Sequence, residues 1–265
     1  EEFAQYITKG SFQCKLIVLL LSVNRCRLII MTRISGGVST QLNTLQSSSD
    51  TSTAAKSVQT PEIGKQVQQT LFGKPKPTIL DPALFPHLAE QLNLLKKYKK
   101  KLAVMVGDQE GDYEIVLADG PIAMIDETGV IYVGVSFLGA CGDCPEILIG
   151  VLAHEIGHRP KRWGEYNERK QLTKGQLEAL CRHEETRADI FAGKALAEME
   201  MGWEPLGEFL ENLEDKPHPE YFPAKVRAQV ICDAHQGREY RSSNRKKLFP
   251  DFDRMTSAKG HLGDY

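Results

Sequence analysis

Residues 147–159 read ILIGVLAHEIGHR, and within them His154-Glu155-Ile156-Gly157-His158 match the pattern H-E-x-x-H. Pro145, just upstream, suits the first turn of a helix, where an N–H has no intrahelical acceptor to lose. Ile147, Leu148, Val151 and Leu152 then recur at helical spacing as an apolar stripe running into the histidines. The stretch therefore predicts one amphipathic helix. Residues four apart share a face, so His154 and His158 can aim two nitrogens at one ion while Glu155 leans over a bound water. That is the equipment of zinc-assisted hydrolysis.

A catalytic zinc takes three protein ligands and leaves a fourth position to water. The third is sought downstream in HEETRADIFAG, residues 183–193. Glu185 and Asp189 stand four apart on one helical face: Glu185 would close the site, and Asp189 would take the N–H of a liganding histidine, fixing its tautomer and orientation. Glu184, next in line, is expected to face water. Thr173 and Gln176 resemble a capping box, Leu177, Leu180, Ala188, Ala192, Leu196 and Met199 recur at helical spacing, and Gly202 suits a helix end. A long helix over 173–201 follows.

These residues resemble the gluzincin metallopeptidases, most closely the branch that includes the CAAX prenyl protease, the HtpX heat-shock protease and the small soluble minigluzincins. That branch pairs an H-E-x-x-H helix with a later E-x-x-A-D helix, matched here by Glu185-Thr186-Arg187-Ala188-Asp189. The likeness covers roughly residues 84–235. It extends, more weakly, to His218-Pro219 followed by Arg227, which is similar to the branch's H-P…R segment.

The resemblance implies an α+β, zincin-like metallopeptidase domain: a small, mostly antiparallel sheet beside an active-site helix and further helices. It implies one Zn2+ held by His154, His158 and Glu185, and peptide-bond hydrolysis with Glu155 as general base, taking a proton from the activated water and handing it to the leaving amine. The oxyanion would want a further donor, for which His218, Tyr221 and Arg227 are candidates. A peptide would pair with an edge strand formed by Ile122, Ala123, Met124 and Ile125. Pro121 fits an edge, because proline cannot donate to an interior ladder.

Composition bounds the rest. The chain has 265 residues, 41% hydrophobic and 26% charged, with a formal net charge of −2; this describes a soluble chain with room for one sizeable core and no general nucleic-acid signal. Basic runs at 96–101 and 238–247 read as solvated faces or tails. Within residues 1–31, the apolar run 16–23 has the length of a secretory h-region but is followed by Asn24, Arg25 and Arg27 without a small-residue cleavage site. It is too short and charged to span a membrane, and the native start is expected at or near Met31. Residues 32–75, rich in Ser, Thr and Gln, are expected to be a disordered tail or linker. Residues 81–236 are assigned to the metallopeptidase domain and 237–265 to a polar, basic tail. The expected location is the cytoplasm, or outside it by an export route without a signal peptide.

In detail, a helix is expected from Pro86 to about Lys99, strands at 102–106, 113–117, 121–125 and 130–137 separated by turn chemistry, and helices at 145–159, 173–201, 205–213 and 224–234. The segment 160–172, with Trp163 and Tyr166, reads either as a rim or lid over the cleft or as a solvated loop with one docked aromatic. Of six cysteines, Cys141 and Cys144 form a lone C-x-x-C without the partner pair of a structural zinc site. At a helix start they could be acidic and redox-active or simply packed; free thiols in a reducing compartment are expected.

The functional expectation is a zinc-dependent endopeptidase acting on a protein or peptide. Two alternatives stand beside it: a metal-binding gluzincin-like interaction or regulatory module with little turnover, and an exported effector protease with one host target. Retention of Glu155 favours catalysis. The oligomeric state is not legible.

Overall fold

The computed structural model describes residues 60–213 and 219–238. The expectations for the apolar leader, most of the Ser/Thr/Gln-rich segment, His218 and the basic tail lie outside the described residues. The fold is mixed α+β. Helix α1 (Ile63–Leu71) is followed by two 3-10 turns and α2 (Ala89–Met105), then by strands β1 (Glu114–Ala118), β2 (Ala123–Ile125) and β3 (Val130–Gly134). Helices α3 (Val135–Cys141), α4 (Pro145–Gly157), α5 (Pro160–Gly164), α6 (Lys174–Glu198), α7 (Glu204–Leu213) and α8 (Ala224–His235) complete it.

The sheet has the order β1-β3-β2. β1 runs parallel to β3, with Glu114 opposite Val130, and β2 runs antiparallel to it, with Ala123 opposite Val133. It is thus mixed rather than mostly antiparallel, because the chain after β1 crosses the end of β3 before turning back. The crossing is tight: Ser136 N donates to Gly120 O at 3.2 Å, and a Cβ on Gly134 would sit 2.2 Å from that same oxygen. Only glycine fits there. β2 is left as an edge strand.

Three expectations are corrected. Residues 102–105 continue α2 instead of forming a strand, since Leu92, Leu95, Leu102 and Ala103 line one buried helical face while Lys96, Lys97, Lys100 and Lys101 lie toward solvent. Residues 135–137 begin α3, which turns Phe137 and Leu138 into the core. Residues 60–75 are not linker: Ile63, Val67 and Leu71 recur every four residues as the buried stripe of α1, which packs on α5. Ile63 N donates to Glu168 O at 2.8 Å, tying the start of α1 to the segment before α6.

α4 is central and not amphipathic. Residues from Ile147 to Gly157 are buried almost all round, with α2, α6, α7 and β2 packed about it. Val151, expected in the core stripe, is half-buried. Close approach to α6 depends on Gly157, whose Cβ would meet Ala188 Cα at 3.1 Å. The capping box of α6 forms: Gln176 N donates to Thr173 Oγ1 and Thr173 N donates to Gln176 Oε1. Among the described residues no helix is long and apolar enough to cross a membrane.

Among the described residues, Cys141, Cys181 and Cys232 are free and buried. Cys141 is not acidic: burial pushes its thiol up to about 11.

Candidate metal centre

α4 and α6 cross so that the two histidines of one face the carboxylate of the other. His154 Nε2 and His158 Nε2 lie 3.3 and 3.8 Å from Glu185 Oε2, and the three potential ligand atoms fall within 4.8 Å of one another. Tetrahedral ligands about 2.1 Å from a zinc would be about 3.4 Å apart, so the spacing suits one small divalent ion. Glu185 Oε2 is buried and has only the two imidazoles beside it, a donor set of two nitrogens and one carboxylate oxygen that suits zinc. The cluster could therefore hold a metal ion.

Behind His154, Asp189 Oδ1 lies 2.9 Å from Nδ1, leaving Nε2 to face Glu185. Asp189 in turn accepts from Arg227 Nε and Nη2, both at 2.9 Å, a bidentate pair reaching across from α8. Arg227 stacks over the ring of Tyr221 at 5.2 Å. His158 has no such carboxylate, its Nδ1 being buried without a hydrogen bond; its ring instead forms a T-shaped pair with that of Phe72, just beyond α1, with centroids 5.8 Å apart.

The C-terminal end of α4 is held by charges absent from the motif. Arg187 Nη2 donates to Gly157 O at 3.3 Å and to Glu184 Oε2 at 2.7 Å. Glu184 also accepts from Trp163 Nε1 and Arg162 Nη2. Glu184 is fully buried, correcting the expectation that it faces water; its neighbours are two guanidinium groups and an indole, which compensate its charge. Arg159, at a left-handed φ of 46°, leaves the helix and grips Asp108 through Nε and Nη2. Segment 160–172 is neither rim nor lid, because Trp163 is docked in the core and none of its residues lines the cleft.

Electrostatics divide the two histidines. Burial disfavours charge on His154, but Asp189 and then Glu185 outweigh it and lift the imidazole to about 10. Burial pushes His158 down to about 4 against the pull of Glu185. Burial also works against the charged form of Glu185, yet the two histidines hold its carboxyl below the usual range, and Arg227 holds Asp189 at about 2 despite burial. Glu155 is raised, chiefly by burial.

Next to the cluster opens a cavity of about 160 Å³. His154, Glu155, Asp189, Tyr221 and Arg227 form its polar wall, while Phe137, Val151, Leu206, Phe209, Leu210, Leu213 and Ile231 form an apolar one. Ile122 and Ala123 reach it from β2. Asp126 N and Ile122 O bond to β3, so by alternation the main-chain groups of Ala123 and Ile125 face away from β3. The Ile125 amide donates to Glu155.

Of the residues singled out from sequence, His154, Glu155, His158, Glu185, Asp189, Tyr221 and Arg227 converge, with Ile122 and Ala123 at the cavity's edge; His218 lies outside the described residues. Arg227 is occupied by Asp189 rather than presented as a lone oxyanion donor. Phe72, Lys74 and Arg187 went unread. The four-residue apolar recurrence of α1 and the i, i+3 spacing of Glu184 and Arg187 were the available signals. No protein-family model matches this chain, and neither the curated proteins nor the solved structures hold a match to it.

Proposed function

We propose that this chain is a zinc-dependent endopeptidase of gluzincin type, hydrolysing peptide bonds in a protein or peptide. The observation that carries the reading is the convergence of His154 Nε2, His158 Nε2 and Glu185 Oε2, with the raised Glu155 carboxyl lining the adjoining cavity. His154, His158 and Glu185 would hold the zinc, which when bound makes a water more acidic and polarises a carbonyl. Asp189 fixes the ring of His154, and Arg227 fixes Asp189.

Glu155 takes the proton of the attacking water and returns it to the leaving amine nitrogen as the C–N bond breaks. Tyr221, which burial keeps protonated and which lines the same cavity, donates to the oxygen that gains charge. The outward main-chain groups of Ala123 leave an edge on which an extended peptide can add as a strand, with one side chain entering the apolar part of the cavity.

Metal content and proteolysis of a denatured, dye-labelled protein are measured together on the native chain, Glu155→Gln and His158→Ala. The expected result is about one zinc per native chain, retained by Glu155→Gln with loss of cleavage, and both lost in His158→Ala. Zinc bound without cleavage by the native chain would favour a metal-binding interaction module; absence of zinc binding would overturn the reading.

A further inference from the structure

Tyr221 does not face the cleft alone. Lys74 Nζ donates to Tyr221 Oη at 3.4 Å and lies 5.6 Å from the centre of its ring, while Arg227 covers the same ring at 5.2 Å. Tyr221 in turn shares a cavity with His154 and Glu155. The lysine comes from the stretch that joins α1 to the sheet, far from any residue of the metal cluster in sequence, and it is held from both sides. Two residues before it, Phe72 is buried in a T-shaped pair with the ring of His158. Two residues after it, Lys76 pairs with the buried Asp126 at 2.7 Å and with Glu127 at 3.3 Å. Lys74 is itself exposed, with Gly73 before it, and Pro75 and Pro77 fix φ on either side of Lys76. The charge on Arg227 is taken up by both oxygens of Asp189.

We infer that Lys74 is a positioning residue for hydrolysis, which orients the Tyr221 phenol as a hydrogen-bond donor to the developing oxyanion. This rests on the peptidase reading above. An ammonium has donors and no acceptor, so Tyr221 Oη receives from Lys74 and its own proton points away from Nζ. A hydroxyl that accepts from a cation is also a stronger donor in turn. No bond to Lys74 is made or broken: the proton traffic stays with water, Glu155 and the leaving amine, and Tyr221 keeps its proton throughout. A contact that matters only when negative charge builds on the carbonyl oxygen acts on turnover more than on substrate binding.

Kinetics of the full-length, zinc-loaded chain and of Lys74→Met, Lys74→Arg, Tyr221→Phe and the Lys74→Met/Tyr221→Phe double variant test this, with zinc content and melting temperature recorded for each. Lys74→Met is expected to keep its zinc and its melting temperature, to lower kcat about ten-fold and to leave KM within about two-fold, the split expected when a transition-state contact is weakened. Lys74→Arg should recover most of the loss. In the Tyr221→Phe background the lysine substitution should cost nothing more, because its effect passes through the phenol.

An unchanged kcat in Lys74→Met, a rise in KM alone, losses that add in the double variant, or a loss traced to unfolding or missing zinc would each overturn the role given to Lys74 and leave the peptidase reading standing. A native chain that holds zinc and cuts nothing would remove both.

Discussion

Asp189 joins two elements of the site through a single carboxylate: Oδ1 is 2.9 Å from His154 Nδ1 on α4, and both oxygens accept from Arg227 on α8. The orientation of a candidate metal ligand thus depends on a helix that carries no ligand. Asp189→Asn is expected to weaken metal affinity by about 10- to 100-fold, the usual cost of losing the group behind a liganding histidine. Competition with a chelating dye would measure it. Affinity equal to that of the native chain would mean that His154 is oriented by something else.

The cluster of Glu184, Arg187, Arg162 and Trp163 behind α4 should matter for stability rather than chemistry. Glu184→Ala leaves two buried guanidinium groups and an indole N–H without their shared acceptor. Breaking one partner of a buried ionic set costs about 3–5 kcal/mol. Urea unfolding should register a loss of that order; a change under about 1 kcal/mol would show the group to be compensated by solvent.

Packing between α6 and α8 carries the site as well. A Cβ on Gly193 would lie 2.4 Å from the main-chain oxygen of Ile231, so Gly193→Ala must push the two helices apart. The expected cost is about 1–3 kcal/mol, as for other overpacked contacts. Because Asp189 and Arg227 sit on these two helices, metal affinity should fall along with it. A stable variant with native affinity would show that the helices move without disturbing the pair.

Metal uptake should release a proton at neutral pH. Without metal, His154 stays protonated to about pH 10, whereas His158, at about 4, and Glu185, lowered, have already given theirs up. A ligand must be deprotonated to bind, so zinc binding near pH 7.5 should expel about one proton from His154. Titration calorimetry in buffers of different ionisation heat would count it, and a smaller count in Asp189→Asn is expected because the carboxylate that holds the proton there is gone. The same shift has a consequence for the metal-free chain. The folded pKa of His154 is above its unfolded value of about 6.5, so its contribution to stability is complete below pH 6.5 and is lost as pH rises through 10. Metal-free His154→Asn should therefore lose less stability than the native chain over that range.

Much of the centre was written locally. His154, Glu155 and His158 are bound to one face of one helix by a four-residue spacing, and Glu185 and Asp189 by another, so each half could be read without knowing where the other lay. The capping box at Thr173 and the proline before α4 were equally local. The sequence also contained the apolar recurrence of α1, but Ser- and Thr-rich neighbours hid it; nine residues of helix gain their stability from the partner they bury against, not from composition. The end of α2 was lost for a similar reason, since Leu102 to Met105 have apolar character that suits a strand or a buried helix turn until its surroundings are known.

What only the tertiary structure decided is the set of relations across elements: the parallel pairing of β1 with β3, the burial of Glu184 among arginines, the grip of Arg227 on Asp189, and the arrival of Phe72 and Lys74 beside the two ends of the site. These depend on how helices and strands pack at distances of many residues, where periodicity carries no information. A glutamate on a helix surface and a glutamate buried against two guanidinium groups have the same local sequence signal. What distinguishes them is which helix comes to lie against it, and the desolvation and ion pairing that follow from that contact.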